Sequence, residues 1–388
     1  MEINKNLKVA LVHDFLTATG GAERVLEALV EMYPEAPIYT LLYDKEKMRG
    51  KFAGKEIHTS FLQKFPKFLR KRHKWLLPFF PVAPETFDLR EFDLVISSTG
   101  AWTKGIVTRL NTIHISYLHS PMRFVWDKNE EYLGQQKKNF ITKFFIRRTL
   151  NYIRVWDKVA ADRPDHILSN SKYTRERVKK YYGRESEVIY PPACAEASAG
   201  KPVEITAKNY FLVVSRLSPY KKIDAVVEAF NKLELPLIIA GEGSQEKYLK
   251  KIANKNIKII GWQSDDEIKK LYQGARAFIF PGVDDFGMTP VEAMSYGVPV
   301  IAIRQGGVRE TVVEGKTGEF FDAATPEVIA DGVRRFMERE KDYDREFIKS
   351  RAGEFGKERF MKEMERYIES VMSKSKGQMS NQIQNPND

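Results

Sequence analysis

Two series of short apolar runs, each alternating with amphipathic stretches, constrain this chain more than any other feature of its sequence. In the first half, runs typical of buried strands lie at residues 9–13, 94–98, 113–119 and 166–171. In the second half they lie at residues 210–215, 237–241, 257–261, 277–281 and 298–303. Helical patterns lie between them. The alternation predicts two α/β domains, each a doubly wound parallel sheet with crossover helices.

A proline-rich and small-residue-rich stretch at residues 191–205 separates the two series and is predicted to be the interdomain linker. We therefore expect an N-terminal domain at 1–195 and a C-terminal domain at 203–350. A helix at 351–372 is expected to return to the N-terminal domain, and a polar tail at 373–388 to be disordered. Two such domains facing across a cleft would present the loops after their strands, where doubly wound sheets bind ligands.

The cysteine content and the apolar runs restrict the class of protein. Cys194 is the single cysteine, which excludes an intramolecular disulfide framework and argues against a cysteine-rich metal site. The first residues lack the apolar core of a signal peptide, and no apolar run approaches the roughly 18 residues of a spanning helix. We expect a cytoplasmic protein that is soluble or bound peripherally to the inner face of the cell membrane.

The chain carries a net positive charge, and the distribution of its basic residues indicates the kind of surface that it contacts. The formal net charge is +11, and residues 64–74 carry six lysines or arginines and no acid. Aromatic residues follow directly, so residues 64–81 form a basic-aromatic segment, and residues 137–148 form a second. Such segments are typical of contact with an anionic membrane surface. A solvated basic face beside ordinary core aromatics is the alternative. No nucleic-acid-binding motif is present, so nucleic acid is not expected as a partner.

The loop after the strand at 210–215 carries two basic residues at a spacing that suits a diphosphate. Arg216 ends the strand, and Lys221 lies just before a helix. A guanidinium fork, an ammonium and a helix N-terminus at one sheet edge would together bind phosphate oxygens. Exposed loop charges of no function are the alternative.

A second motif runs from residue 281 to residue 300. Asp284 and Gly287 lie in a loop that leads into a helix predicted to open at Pro290, with Glu292 in its first turn. A capping box of Thr289 and Glu292 would explain those two residues structurally. It would not explain the acidic, glycine-containing loop before them. A carboxylate at Glu292 could instead accept hydrogen bonds from the hydroxyls of a ribose.

This segment resembles the E-x7-E signature of the group-1 retaining glycosyltransferases of the GT-B fold. Asp284 stands in the first position, where the family usually has Glu, and Glu292 stands in the second. Further segments resemble the family as well: the glycine loop at 19–25, a segment at 119–127 similar to that of bacterial O-antigen and exopolysaccharide mannosyltransferases, and the glycine-rich stretch at 306–312. The resemblance extends over about residues 7–370.

The resemblance implies a role for each candidate residue. Arg216 and Lys221 would stabilise the diphosphate in place of a metal, Glu292 would hold the ribose, and Asp284 would orient the sugar. His119 would contact the sugar from the opposing domain. The remaining candidates for donor binding are glycines and residues of the loops after the strands: Gly20, Gly21, Gly241, Gly243, Trp262, Asp285, Phe286, Gly287, Met288 and Thr289.

The expected activity is metal-independent, retaining transfer of mannose from GDP-mannose to a lipid-linked oligosaccharide. A UDP-sugar-dependent transferase of the same fold, a sugar-nucleotide 2-epimerase and a non-catalytic nucleotide-sugar-binding scaffold subunit are the alternatives. A nicotinamide-dependent dehydrogenase is disfavoured, because no G-x-G-x-x-G motif follows the first strand of either half.

Overall fold

A computed structural model describes residues 7–70, 75–127, 129, 139–193 and 209–384, with side chains described as far as residue 374. Contacts divide the chain into two units. The first comprises Met1–Tyr190 and Phe360–Asp388, and the second comprises Pro191–Arg359. The return to the first unit thus falls at Phe360, nine residues beyond the predicted start of the returning helix. The predicted linker from Cys194 to residue 205 lies outside the described residues.

The first unit is built on a parallel sheet of seven described strands in the order β3-β2-β1-β4-β5-β6-β7. Its central strands are buried on both faces, which explains their continuous apolar runs. The strands are β1 Val9–Leu16, β2 Ile38–Tyr43, β3 Ile57–Thr59, β4 Leu94–Thr99, β5 Ile113–Leu118, β6 His166–Ser169 and β7 Glu187–Val188.

Helices cover both faces of this sheet. They are α1 Gly21–Met32, α2 Lys45–Met48, α3 Lys67–Arg70, α4 Phe140–Ala160, α5 Lys172–Tyr182 and, at the end of the chain, α13 Lys357–Gln384. The buried stripe of α1 packs in one core with Phe360, Met364 and Ile368 of α13. Helix α13 continues to Gln384, and the disorder predicted for the tail at 373–388 stays a prediction. No helix breaker stands before Pro386, and a lone Gly377 does not end a helix.

The second unit is a parallel sheet of six described strands in the order β10-β9-β8-β11-β12-β13. The strands are β8 Tyr210–Val214, β9 Leu237–Ala240, β10 Ile257–Gly261, β11 Ala275–Phe280, β12 Val300–Ile303 and β13 Gly318–Phe321. The helices are α6 Ile223–Leu233, α7 Glu246–Ile252, α8 Asp265–Gly274, α9 Met288–Ser295, α10 Val308–Thr311, α11 Pro326–Glu338 and α12 Arg345–Gly353. All strand pairs are parallel, as the alternation predicts.

A buried ion pair holds α4 to the first sheet. Lys104, in the loop after β4, donates to the Asp157 carboxylate of α4, and both side chains are almost fully buried. The indole Nε1 of Trp126 and the hydroxyl of Tyr182 also donate to Asp157, at 2.7 and 2.8 Å. Burial, followed by the neighbouring Asp157 carboxylate, raises the pKa of Tyr182 well above its usual range. The carboxylate therefore has a full set of donors.

Removing this carboxylate should strongly destabilise the first unit. Asp157→Asn leaves the Lys104 ammonium buried without a counter-charge, which costs about 3–5 kcal/mol. Urea unfolding followed by tryptophan fluorescence checks it, since Trp102, Trp126 and Trp156 lie in this core. Asp162→Asn, which disrupts an exposed pair with Lys158, is the matched control and should leave the midpoint unchanged. Equal midpoints for the two variants would contradict the assignment.

Candidate functional site

The strand order of the second unit reverses between β8 and β11. At the carboxyl ends of these two strands the following loops diverge, and a ligand can enter between them. From β8 the chain winds to β9 and β10 on one side, and from β11 to β12 and β13 on the other. Doubly wound sheets bind ligands at such a switch point, outside the carboxyl ends of the strands. The candidate donor residues of this unit all lie in the loops after these strands or in α9.

An ion pair spans the switch point. Lys221 follows β8 and Asp284 follows β11, and the Lys221 Nζ donates to the two Asp284 carboxylate oxygens at 2.7 and 2.5 Å. The lysine side chain is only 14% exposed, and its ammonium lies 5.9 Å from the centroid of the Phe280 ring. The pair therefore fixes a cation at the sheet edge, within a partly apolar surrounding that strengthens its field.

The backbone of Gly306 and Gly307, just before α10, packs directly against the loop that carries Asp284. A Cβ at Gly306 would lie 2.4 Å from the Asp284 carbonyl oxygen, and one at Gly307 would lie 2.1 Å from that of Asp285. The Gly307 N–H donates to the Asp284 carbonyl at 3.0 Å. Only glycine permits this backbone approach, which gives a structural reason for the glycine pair of the 306–312 motif.

Gly241 and Gly243 perform a similar task after β9. A Cβ at Gly241 would lie 1.9 Å from the Ser215 carbonyl oxygen, and one at Gly243 would lie 2.1 Å from that of Leu217. The two backbones thus run side by side at the carboxyl ends of β8 and β9. Arg216 lies between these contacts on the β8 loop, and its side chain is exposed.

The start of α9 differs from the prediction. Gly287 is the N-cap residue, with a left-handed φ of 85°, and the helix begins at Met288 rather than at Pro290. Thr289 is already helical, so the predicted capping box of Thr289 and Glu292 is absent, and no side chain caps this helix. The Glu292 carboxylate instead accepts a hydrogen bond from the Tyr272 hydroxyl at 3.2 Å.

The other candidate residues of this unit occupy different surroundings. Asp285 is partly buried, and the Phe286 ring is buried, with its centroid 5.7 Å from that of Phe355. Trp262 directly follows β10 and is 45% exposed. The second unit thus assembles the backbone of residues 284–288 and the Lys221 ammonium at one sheet edge.

In the first unit, His119 lies at the end of β5 within a chain of polar side chains. Its Nε2 lies 2.8 Å from the Ser98 Oγ, and the same oxygen lies 3.2 Å from the Nδ1 of His13. The His13 Nε2 lies 3.6 Å from Glu23 Oε1. Burial lowers the pKa of His119 to about 4, so its ring is neutral at pH 7.

The glycine pair predicted to approach the donor phosphates lies at the start of α1. Gly20 is the N-cap residue and Gly21 is the first residue of the helix. The residue at the N-cap position makes no side-chain cap, and the N–H groups of a helix N-terminus are typical ligands of anions. The Glu23 carboxylate already accepts from its own N–H in this turn. Phosphate binding at this position remains a prediction.

A second carboxylate joins the central strands of the first unit. Asp14, near the end of β1, accepts hydrogen bonds from four successive backbone N–H groups of residues 100–103, at 2.7 to 2.9 Å. The hydroxyls of Thr99 and Thr103 donate to it as well. Burial raises the pKa of Asp14, but these bonds and the nearby His13 outweigh it and hold the pKa below the usual value for an aspartate.

Sequence reasoning singled out His119 but missed His13, Asp14, Glu23 and Ser98. All four lie at the switch point of the first sheet, between β1 and β4. A signal was available for three of them, because a His-Asp pair lies near the end of the first strand and Ser-Ser-Thr ends the fourth. Polar residues at the ends of adjacent parallel strands meet at one sheet edge.

The described residues lack two kinds of feature. Within those ranges, no group of three or more His, Cys, Asp or Glu side chains is arranged to hold a metal ion. In the same part of the chain, no helix is both long enough and apolar enough to cross a membrane.

Sequence profiles of two glycosyltransferase families match successive parts of the chain. The family described as glycosyl transferases group 1 matches residues 196–353, and glycosyltransferase family 4 matches residues 19–195. This chain is a group 1 glycosyltransferase. The two matches together cover most of both units and include every candidate residue singled out from the sequence.

Relatives support the same assignment. An uncharacterized glycosyltransferase of Methanocaldococcus jannaschii is 23% identical over 91% of this chain and 93% of its own length. A GDP-mannose-dependent phosphatidylinositol monomannoside mannosyltransferase of Mycobacterium tuberculosis is 28% identical over 45% of this chain and 53% of its own. The O-antigen chain mannosyltransferase RfbU of Salmonella typhimurium is 28% identical over 40% and 46%.

Solved structures share the fold. HepE of Anabaena, in complex with UDP, superposes with a TM-score of 0.65 at 18% identity, over 95% of this chain and all of that one. Sucrose-phosphate synthase of Thermosynechococcus elongatus superposes with a TM-score of 0.70 at 15% identity, over 95% and 100%. The GT-B fold predicted from the sequence is confirmed.

The contribution of the Asp14 carboxylate to the free energy of unfolding of the glycosyltransferase should depend on pH. Asp14→Asn replaces an anionic acceptor, and we expect a loss of about 2–4 kcal/mol in the free energy of unfolding at pH 7. Because the folded pKa lies below the unfolded value, this contribution is present above about pH 4 and is lost as the pH falls through the folded pKa. Urea unfolding of both proteins from pH 7 to pH 3 checks this. A difference that is independent of pH would contradict it.

Proposed function

We propose that this glycosyltransferase transfers mannose from GDP-mannose to a lipid-linked oligosaccharide, with retention at the anomeric carbon. The observation that carries the proposal is the Lys221–Asp284 pair at the switch point of the second sheet. It supplies a fixed cation where a doubly wound sheet receives a nucleotide. Mannosyltransferases among the relatives support the choice of sugar.

In this proposal, the second unit binds the donor. The Lys221 ammonium and the Arg216 guanidinium contact the diphosphate, whose negative charge grows as the glycosidic bond breaks. Asp284 holds Lys221 in place through the observed pair, and with the backbone of Phe286 and Gly287 it orients the sugar. Glu292 accepts hydrogen bonds from the ribose, with Tyr272 fixing one carboxylate oxygen.

Metal-independent transfer follows from the same residues. Lys221 and Arg216 provide the positive charge that a divalent cation would otherwise provide, and they require no proton transfer to do so. For retention, the acceptor hydroxyl attacks on the face from which the nucleotide leaves, and the departing phosphate oxygen takes its proton. His119 of the first unit contacts a hydroxyl of the transferred sugar.

UDP-sugars remain the second candidate donors. The observation that favours them is the structural similarity to HepE, which was solved in complex with UDP and UDP-glucose. The polar groups near Gly241, Gly243 and Trp262 would then frame uracil rather than guanine. A donor panel separates the two bases.

Helix α4 supports a membrane-bound acceptor, because it presents apolar side chains on two opposite faces. The buried apolar residues of its inner face are Leu150, Ile153 and Ala160, and the ion-paired Asp157 lies on the same face. Its outer face carries large apolar side chains that are each more than half exposed, at helical spacings of three and four residues. They are Ile141, Phe144, Phe145, Tyr152, Val155 and Val159.

The charge of α4 complements an anionic surface. The helix carries five basic residues, and its one acidic residue, Asp157, is buried against Lys104. In the other basic-aromatic segment, Phe68 and Trp75 are 63% and 64% exposed. Residues 71–74, 137 and 138 of the two segments lie outside the described residues. Apolar side chains flanked by basic ones bind the interface of anionic bilayers, so we place the enzyme at the inner face of the cell membrane.

Calorimetric titration with GDP, GDP-mannose, UDP-glucose and UDP-GlcNAc, with and without EDTA, tests the donor site. GDP and GDP-mannose should bind in preference to the two UDP-sugars, and EDTA should leave their affinities unchanged. Lys221→Ala should weaken binding about 10-fold to 100-fold, because a charged hydrogen bond to phosphate is lost. Lys222→Ala removes the same charge from the next, exposed residue and should leave affinity unchanged. Loss of binding in EDTA, or equal effects of the two variants, would contradict the proposal.

Vesicle co-sedimentation tests the membrane surface. Phe144→Ser with Phe145→Ser should lower partitioning onto phosphatidylglycerol-containing vesicles at least about tenfold, since two exposed rings no longer enter the interface. Phe347→Ser, which changes an exposed ring of the second unit, is the control. Salt should weaken binding of the native enzyme. Equal partitioning of the native enzyme, the double variant and Phe347→Ser would contradict the proposal that α4 contacts the membrane.

A further inference from the structure

Four side chains at the switch point of the first sheet form one continuous polar chain. It runs from Glu23 in the first turn of α1, through His13 of β1 and Ser98 of β4, to His119 at the end of β5. His13 and Ser98 are buried, at 2% and 0% exposure. The Ser98 hydroxyl can therefore form hydrogen bonds with both imidazole rings and is shielded from water.

The single hydrogen of Ser98 makes the two imidazoles depend on each other. Ser98 can donate to only one ring, and it must accept from the other if both contacts are hydrogen bonds. Its Oγ lies 3.2 Å from the His13 Nδ1 and 2.8 Å from the His119 Nε2. The tautomer of one neutral ring thus determines the tautomer of the other.

Glu23 gives this chain a direction. An ionised carboxylate accepts hydrogen bonds and cannot donate them. Burial raises the pKa of Glu23, but its interactions with His13 outweigh this, so the pKa is lowered and the carboxylate is ionised at pH 7. A His13 ring with a single hydrogen carries it on Nε2, toward Glu23, and its bare Nδ1 then accepts from Ser98.

We propose that Glu23 and His13 are positioning residues that act through Ser98 to keep the hydrogen of His119 on Nε2. With Ser98 donating to His13, its oxygen accepts from the His119 Nε2–H. The His119 Nδ1, which has no hydrogen-bond partner among the described residues, then presents a lone pair. That nitrogen accepts a hydrogen bond from a hydroxyl of the transferred sugar. This role rests on the proposed function, which brings the sugar to His119.

Nitrogen-15 NMR of histidine-labelled enzyme without substrate tests the tautomer directly. The His119 signal is assigned by its loss in His119→Gln. In the native enzyme Nε2 should carry the hydrogen, and in Glu23→Gln a substantial Nδ1–H fraction should appear, because an amide can donate to His13. A native Nδ1–H tautomer, or a spectrum that Glu23→Gln leaves unchanged, would overturn the proposal. This result does not depend on any donor, so it stands apart from the test of the proposed function.

Kinetics test the positioning role. Glu23→Gln and Ser98→Ala should each lower kcat about tenfold while leaving the KM for the nucleotide sugar within about twofold, since a hydrogen bond to the sugar is misdirected but the nucleotide contacts remain. Glu27→Gln, one turn along α1 and outside the chain, is the matched control. Native kcat in Glu23→Gln, or an equal loss in Glu27→Gln, would overturn the role.

Discussion

The ion pair between Lys221 and Asp284 joins the loops after β8 and β11 where the order of the second sheet reverses. The proposed chemistry depends on it, because an unanchored lysine would lose side-chain entropy on contacting a phosphate. Asp284, which stands at the first position of the family signature, contacts Lys221 with both carboxylate oxygens. The Gly306–Gly307 backbone packs closely against the loop that carries it.

The first unit uses a carboxylate in a comparable way. Asp14 gathers the backbone N–H groups of the loop after β4 at the switch point of its own sheet. That loop leads to Lys104, which is held in turn by Asp157 of α4. A continuous set of buried charge contacts therefore runs from the candidate site of this unit to the helix proposed to lie on the membrane. Each contact is well satisfied, so the set adds rigidity to the loop.

The sequence predicted the parallel sheets well, because strands buried on both faces leave continuous apolar runs. It missed β2, whose IYTLLY run mixes polar and aromatic residues. It also missed β3, β7 and β13, which have only three, two and four residues and are too short for a pattern. It read the start of α4 only as a basic-aromatic segment, because apolar residues on two opposite faces of a helix obscure the usual period. The start of α9 was predicted too late for a local reason. Thr289-Pro290 resembles a helix N-terminus in sequence, whereas the N-cap residue is the left-handed Gly287.

Site residues were predictable where a motif fixes the backbone, as at Gly241, Gly243 and residues 284–288. The pairing of Lys221 with Asp284 was not, since these residues lie 63 positions apart and meet only through the strand order. The same holds for His13, Ser98 and His119. Residues on separate strands become neighbours through the sheet topology, and no local pattern encodes that.

Hydrogen–deuterium exchange with GDP-mannose present and absent tests whether the second unit binds the donor at the Lys221–Asp284 pair. The nucleotide should slow exchange in peptides containing residues 215–222, 241–245 and 282–292, at the carboxyl ends of β8, β9 and β11. Protection confined to the first unit, or protection of the second unit away from these loops, would contradict a donor site built on the Lys221–Asp284 pair.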